Sequence, residues 1–142
     1  MTQVNTTLVW ARMTDLVTRS NDRRREVSNR LGMSFGKVKA LRRIAAGPLT
    51  MRQLAEELIT DRPYATLLVD DLERRGLVER TVHPDDRRCR LVRATREGRR
   101  AAALANRILG EPPPALLALP ASDLAALDRI LVKLAETQNP GT

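Results

Sequence analysis

Aromatic residues are almost missing from this 142-residue chain: Trp10, Phe35 and Tyr64 are the whole set. So few rings leave no stacking platform for the bases of a single-stranded nucleic acid. Cysteine is scarcer still. The lone Cys89 excludes an intrachain disulfide framework and fits a reducing cytoplasm. The one histidine, His83, has no Cys/His cluster with which to share a metal ion, so it reads as a turn residue and no metal is expected. There is no apolar run of membrane-spanning length and no signal peptide, so the expected location is cytoplasmic with no membrane partner. No paired-carboxylate pocket, nucleophile–base set or phosphate loop is visible. The chain is therefore not expected to be an enzyme, and neither a cofactor nor a catalytic residue is assigned.

Lysine is also rare. Of 25 basic residues only Lys37, Lys39 and Lys133 are lysines, against 17 acidic residues and a net charge of +8. That excess suits an anionic polymer, and arginine makes bidentate contacts to phosphate and guanine. A GC-rich genome produces the same arginine bias. The charge is uneven. Residues 1–46 hold ten basic and three acidic side chains, whereas residues 101–142 hold three and four. Between Arg80 and Arg100 stand eight arginines against three acids, so the basic face is expected on this stretch and the early helices.

What is present is an order of elements. Val4 to about Arg30 has apolar residues at Val4, Leu8, Ala11, Leu16 and Val17, a helical spacing, and its later half is almost entirely polar. Gly32 ends it. Ser34 caps a second helix with Val38, Leu41, Ile44 and Ala45 on one face, stopped by Gly47-Pro48. Thr50 and Gln53 form a capping box for a third helix, in which Leu54, Ala55 and Leu58 are the buried stripe. A fourth begins near Asp61, tolerates Pro63 in its first turn, buries Ala65, Leu68, Val69 and Leu72, and stops at Gly76. Leu77–Val82 reads as a strand, His83–Asp86 as a turn and Arg90–Ala94 as the returning strand. Thr95 caps a helix running to about Leu109. Glu111-Pro112-Pro113-Pro114 interrupts it, and Ser122 caps a last helix carrying Leu124, Leu127, Ile130, Leu131 and Leu134. Helix, turn, helix, strand, arginine-rich turn and strand is the order of a helix-turn-helix with a β-wing.

The segments PLTMRQLAEEL (Pro48–Leu58), LVDDLERRGLVER (Leu68–Arg80) and HPDDRRCRLVRAT (His83–Thr95), followed by Glu97-Gly98, resemble the MarR family of bacterial transcription regulators. The resemblance runs over most of the chain. It implies a mainly α fold with a small β-wing: one domain over 1–142, a winged helix-turn-helix at 34–98, and dimerisation helices at 1–31 and 100–142. It also implies a cytoplasmic homodimer on a palindromic double-stranded DNA operator. Many members are repressors released by a small phenolic, aromatic or lipophilic ligand. The alternative is a winged helix without an effector, used as an architectural DNA binder or for protein contact.

Candidate residues follow. A helix docked in the major groove reads bases with its N-terminal residues. Here the outward positions are Arg62, Pro63, Tyr64, Thr66 and Leu67. Tyr64 has packing on the third helix as its other reading. The turn at Thr50, Arg52 and Gln53 suits a phosphate, and Arg87, Arg88 and Arg90 suit a narrow minor groove. The family's D-x-R at the wing maps to Asp86, bracing the hairpin, and Arg88; Asp85 and Arg87 fit the same spacing. The chain departs from the family at Leu67, where an Arg commonly stands, and at Pro63 or Tyr64, which replace a Ser. Asp70 and Asp71 make the reading helix acidic midway. The run Arg23-Arg24-Arg25 reads as a solvated face. Met13, Leu16, Val17, Leu41 and Ile44, with Arg42 or Arg43 for a carboxylate, are candidate walls of an effector pocket, with plain core packing as the competing reading. Leu8, Ala11, Leu124, Leu127, Leu131 and Leu134 are the expected dimer seam. A redox role for Cys89 is the minor reading of that residue.

Overall fold

The structure, a computed structural model, describes residues 3–141. Residues 1–2 and 142, the ends of the expected 1–31 and 100–142 segments, lie outside the described residues. Eight helices and three strands follow in the order α1 (Thr6–Asp15), α2 (Arg24–Leu31), α3 (Phe35–Ala46), β1 (Leu49–Thr50), α4 (Met51–Glu57), α5 (Arg62–Arg74), β2 (Val78–Val82), β3 (Arg90–Ala94), α6 (Arg96–Gly110), α7 (Pro114–Leu117) and α8 (Ala121–Gln138). This is a mainly helical winged-helix fold with a small antiparallel sheet. No described helix is long and apolar enough to cross a membrane.

The chain divides into two compact units, residues 1–110 and 111–142. The boundary falls at the proline run, so the expected 100–142 segment is shared between the units: α6 belongs to the first, α7 and α8 to the second.

In the first unit the core is a sandwich of helical stripes. Val38, Leu41 and Ile44 of α3, Leu54 of α4, Leu68, Val69 and Leu72 of α5, and Ala102, Ala105 and Ile108 of α6 close on Val78 and Val92 of the sheet. Ala45 and Leu58, expected in the stripes, are partly buried at the edge of this cluster. The sheet order is β1-β3-β2, with β3 central. Leu49 and Thr50 pair with Val92 and Leu91, and Val78 to Val82 pair with Ala94 to Arg90. A two-residue strand has no period to detect, so β1 was invisible to the sequence pattern.

The expected single helix from Val4 to Arg30 is corrected. α1, capped by Asn5, passes into a π-helical turn at Leu16–Ser20 and stops at Asn21, and α2 starts afresh at Arg24. Short polar side chains here compete for the backbone. Asn21 donates to the Leu16 carbonyl at 2.9 Å, and Asp22 accepts the Arg24 backbone N–H at 2.9 Å. The restart turns Val27, alone in its polar run, fully into the core. α1 itself buries no residue.

Two glycine stops behave as read. Gly32 and Gly76 sit at φ 64° and 74°, left-handed conformations that a Cβ disfavours. In the second unit the interruption at Pro112–Pro114 leads into the short helix α7, a single turn too short to show a helical period in the sequence. α8 begins at Ala121 after Pro120, whose carbonyl accepts from Asp123 and Leu124. Ser122, the expected cap, is therefore inside the helix. α8 buries no side chain: Leu124, Leu127, Ile130, Leu131, Val132 and Leu134 are all exposed.

Candidate nucleic-acid interface

The head of the site is the α4–α5 pair. Thr50 Oγ1 accepts the Gln53 N–H at 3.1 Å and Gln53 Oε1 accepts the Thr50 N–H at 2.9 Å, completing the expected capping box. Thr50 is also a sheet residue, paired with Leu91. Arg52, on the outer face of α4, reaches Glu56 at 3.3 Å. α4 ends in a left-handed turn at Ile59, φ 53°, closed by the Thr60 N–H on the Ala55 carbonyl. A β-branched residue rarely adopts that conformation, and Ile59 is 93% exposed.

α5 opens at once. Asp61 accepts the Tyr64 N–H at 2.7 Å and Pro63 lies in the first turn, where its missing N–H costs nothing. Ala65, Leu68, Val69 and Leu72 face inward, so Arg62, Tyr64 and Leu67 stand outward and exposed. Thr66 is half-buried, its hydroxyl donating to the Arg62 carbonyl at 3.0 Å. Tyr64 is placed against α3 rather than against α4, the helix capped by Thr50 that its packing reading named. It is exposed, and its hydroxyl lies 3.0 Å from the place a Cβ on Gly36 of α3 would occupy. A glycine there makes room for the ring edge.

The acidic middle of α5 is not a free anionic patch. Arg80 of β2 bridges Asp70 at 2.6 Å and Glu73 at 3.1 Å. Asp71 is held by Arg75 at 2.6 Å, Lys37 of α3 at 3.2 Å and Arg74 at 3.2 Å. The Arg75 hydrogen bond, then Lys37, keep the Asp71 carboxyl below its ordinary value, so it stays charged and paired. Periodicity shows which face a residue takes but not which distant cation lies opposite, so this pairing went unread.

The wing tip is built on Asp86. Its carboxylate accepts the Arg88 backbone N–H at 3.0 Å and the Arg88 guanidinium at 3.2 Å, and its carbonyl accepts the Cys89 N–H at 3.0 Å. The two bonds from Arg88, its backbone N–H foremost, lower the Asp86 pKa. Of the two registers open in the sequence, the Asp86–Arg88 pair is the one formed. Arg87 and Arg90 are exposed beside it, and the Arg88 side chain is 90% exposed. His83 accepts the Asp85 N–H in the turn. The half-buried Cys89 thiol lies 3.6 Å from Asp86.

The effector-pocket candidates are not brought together. Leu41 and Ile44 are sealed in the core and present almost no surface, while Leu16 and Val17 are exposed on the π-helical turn and Met13 is half-buried on α1. Arg42 donates to Asn106 of α6, and Arg43 pairs with Glu57 of α4. For Leu41 and Ile44, then, core packing replaces the pocket reading. Of the seam candidates, Leu8 is half-buried, and Ala11, Leu124, Leu127, Leu131 and Leu134 are exposed. Trp10 on α1 is 69% exposed and, standing off the Val4–Leu8–Ala11 stripe, is not among those candidates.

The MarR family model matches residues 36–90, from α3 to the start of β3. No curated protein sequence matches the chain significantly. Among solved structures, apo MarR from E. coli superposes with a TM-score of 0.75 at 24% identity, covering 94% of this chain and 98% of that one. FabT of Streptococcus pneumoniae in complex with DNA gives 0.74 at 20% identity, covering 96% and 99%. NadR in complex with 4-hydroxyphenylacetate gives 0.62 at 24% identity, covering 96% and 94%. A segment of the chain thus matches the MarR family model, and nearly its whole length shares the winged-helix fold of these structures.

Proposed function

We propose that this MarR-type winged helix is a sequence-specific, double-stranded DNA-binding transcription regulator, acting as a homodimeric repressor that a small aromatic or lipophilic ligand releases from its operator. The observation that carries the reading is one head with two presented parts. An α5 start exposes Arg62, Tyr64 and Leu67, and a wing exposes Arg87, Arg88 and Arg90 around the Asp86 brace. With Asp70, Asp71 and Glu73 already paired to arginine and lysine, a phosphate backbone approaching α5 meets little uncompensated negative charge.

Exposed Leu67 offers an apolar contact to a thymine methyl, and the wing arginines offer charge to a narrow minor groove. The start of α4, with Thr50, Arg52 and Gln53, supplies phosphate contacts that set register. Two copies joined through the apolar faces of α1 and α8 would hold two α5 helices about 34 Å apart, one DNA turn. The FabT complex with DNA and the NadR complex with 4-hydroxyphenylacetate support the two partner classes. A ligand that favours a different spacing by about 1–3 kcal/mol shifts the operator equilibrium 5–150-fold.

The test is binding of the purified protein to the promoter region of its own gene, titrated with salt and with aromatic acids. Specific binding whose logarithm falls linearly with log salt, by about 0.9 for each phosphate neutralised, is the expected result, with release by at least one aromatic acid. Affinity no greater than for scrambled DNA of the same length overturns the regulator reading. Specific binding unaffected by any aromatic acid overturns ligand control alone.

A further inference from the structure

Away from the α5 start and the wing tip, a cavity of about 530 Å³ opens between the end of α3, the sheet and the start of α6. Pro48, Glu79, Arg93, Thr95, Arg96 and Arg99 are among its walls. Three arginines and one glutamate, contributed by β2, β3 and α6, therefore line one concavity.

The pairing of these groups matters more than their number. Glu79 and Arg93 are direct cross-strand partners on β2 and β3, a placement that ordinarily produces an ion pair. No ion pair forms between them, and among the described residues none of Glu79, Arg93 and Arg96 has a side-chain hydrogen bond or ion-pair partner. Arg99 spends one N–H on the Ala94 carbonyl at 3.0 Å and keeps the rest of its fork. Several other arginines of this unit are taken up, Arg24 by Asp22, Arg43 by Glu57, Arg75 by Asp71, and Arg80 by Asp70 and Glu73, whereas Arg93, Arg96 and Arg99 line one concavity. A wall of uncommitted guanidinium forks suits a planar or tetrahedral oxyanion held bidentately. Glu79 among them accepts a hydrogen bond from a hydroxyl or amino group on the same molecule.

We propose that this cavity is a binding site for a small multivalent oxyanion, a carboxylate or phosphate compound bearing a hydroxyl or amino donor, with Arg93, Arg96 and Arg99 as its anion-holding residues and Glu79 as its acceptor. An anion bridging Arg93 and Arg96 ties the wing strand β3 to α6. The site is separate from the wing-tip arginines and does not depend on the DNA-binding reading.

Isothermal titration with citrate and, separately, with inorganic phosphate, in a chloride buffer of constant ionic strength, tests it. Saturable one-to-one binding by at least one probe, with a Kd at or below about 1 mM, is the expected result, and the probe that binds tells carboxylate from phosphate chemistry. The Arg93→Gln/Arg96→Gln double variant, both positions exposed, weakens it at least tenfold at an unchanged melting temperature. The single Arg96→Gln variant weakens it in the same direction, and Arg88→Ala at the wing tip leaves it as it was. No saturable binding of either probe, equal binding by the double variant, or an equal loss in Arg88→Ala overturns the proposal.

Discussion

At Arg88 the proposed grip on DNA is separable from stability. The side chain is 90% exposed and tied only to Asp86, so its loss removes no core contact. Arg88→Ala is expected to weaken operator binding at least about tenfold, the scale of one good groove contact, with the melting temperature within about a degree of the parent. Fluorescence anisotropy beside a thermal melt reads both. Gly98 is the opposite case. A Cβ there would lie 1.8 Å from the Leu77 carbonyl oxygen, because the Thr95 cap pulls the start of α6 against the turn before β2: the Thr95 N–H donates to Leu77 at 3.0 Å and its hydroxyl to Gly76 at 2.6 Å. Gly98→Ala is expected to cost about 3 kcal/mol or prevent folding, since the obstacle is backbone. Chemical denaturation measures it, and a loss below about 1 kcal/mol would refute the close approach. Ile59 is strained and without burial, so Ile59→Gly relieves a left-handed residue costing about 1–2 kcal/mol, partly offset by the freer unfolded glycine. A net gain near 1 kcal/mol is expected in the same assay.

Among the elements, α2 shows how a short helix is held by one carboxylate. Asp22 accepts the Arg24 N–H and also both branches of the Arg24 guanidinium at 2.9 Å. The guanidinium first, then the backbone bond, lower its pKa from 3.8 to about 2. A carboxyl with a depressed folded pKa stabilises the protein above its unfolded value and loses that contribution as pH falls through the folded one. The parent should therefore lose stability between about pH 4 and pH 2 more steeply than Asp22→Asn, read from melting temperatures at stepped pH; parallel curves would sink the assignment. The same helix marks the limit of sequence reading. Capping boxes, glycine stops and stripes are local patterns and were legible at Thr50, Gly32, Gly76 and along α5. Val27 was not, because its burial depends on the break at Asn21 re-aiming α2. Nor was β1, which exists only because β3 offers it an edge. At the candidate interface the exposed residues of α5 and the wing were readable from spacing. Arg74 and Arg75, which hold Asp71 from the same helix, lie within its period, but Arg80 of β2 opposite Asp70 and Lys37 of α3, 34 positions from Asp71, lie beyond it.

Among the described residues, besides the one-turn α7, two longer helices bury no residue: α1, with Val9 and Trp10 exposed, and α8, with six large apolar residues 36–51% exposed. Apolar surface of that extent on long helices calls for a partner, and a second copy is the proposed one. Leu127→Glu with Leu131→Glu is expected to convert a dimer to a monomer in sedimentation velocity and to weaken operator binding at least about tenfold, because each head then binds alone. A parent that sediments as a monomer, or a variant that still dimerises, would exclude α8 as the seam.

Thr50 belongs to two elements at once: it is a rung of the sheet beside Leu91 and the cap of α4. The wing and the reading head therefore share a joint, and the chain cannot be edited at either without the other feeling it. Freedom to vary length lies instead at the tip, residues 84–88, past the last rung of the ladder. Under the proposed DNA-binding role, related chains have that tip to lengthen, shorten or recharge while the joint stays intact. A graft that exchanges only the tip, from His83 to Cys89, is accordingly the smallest transplant that carries a wing's preference from one such protein to another.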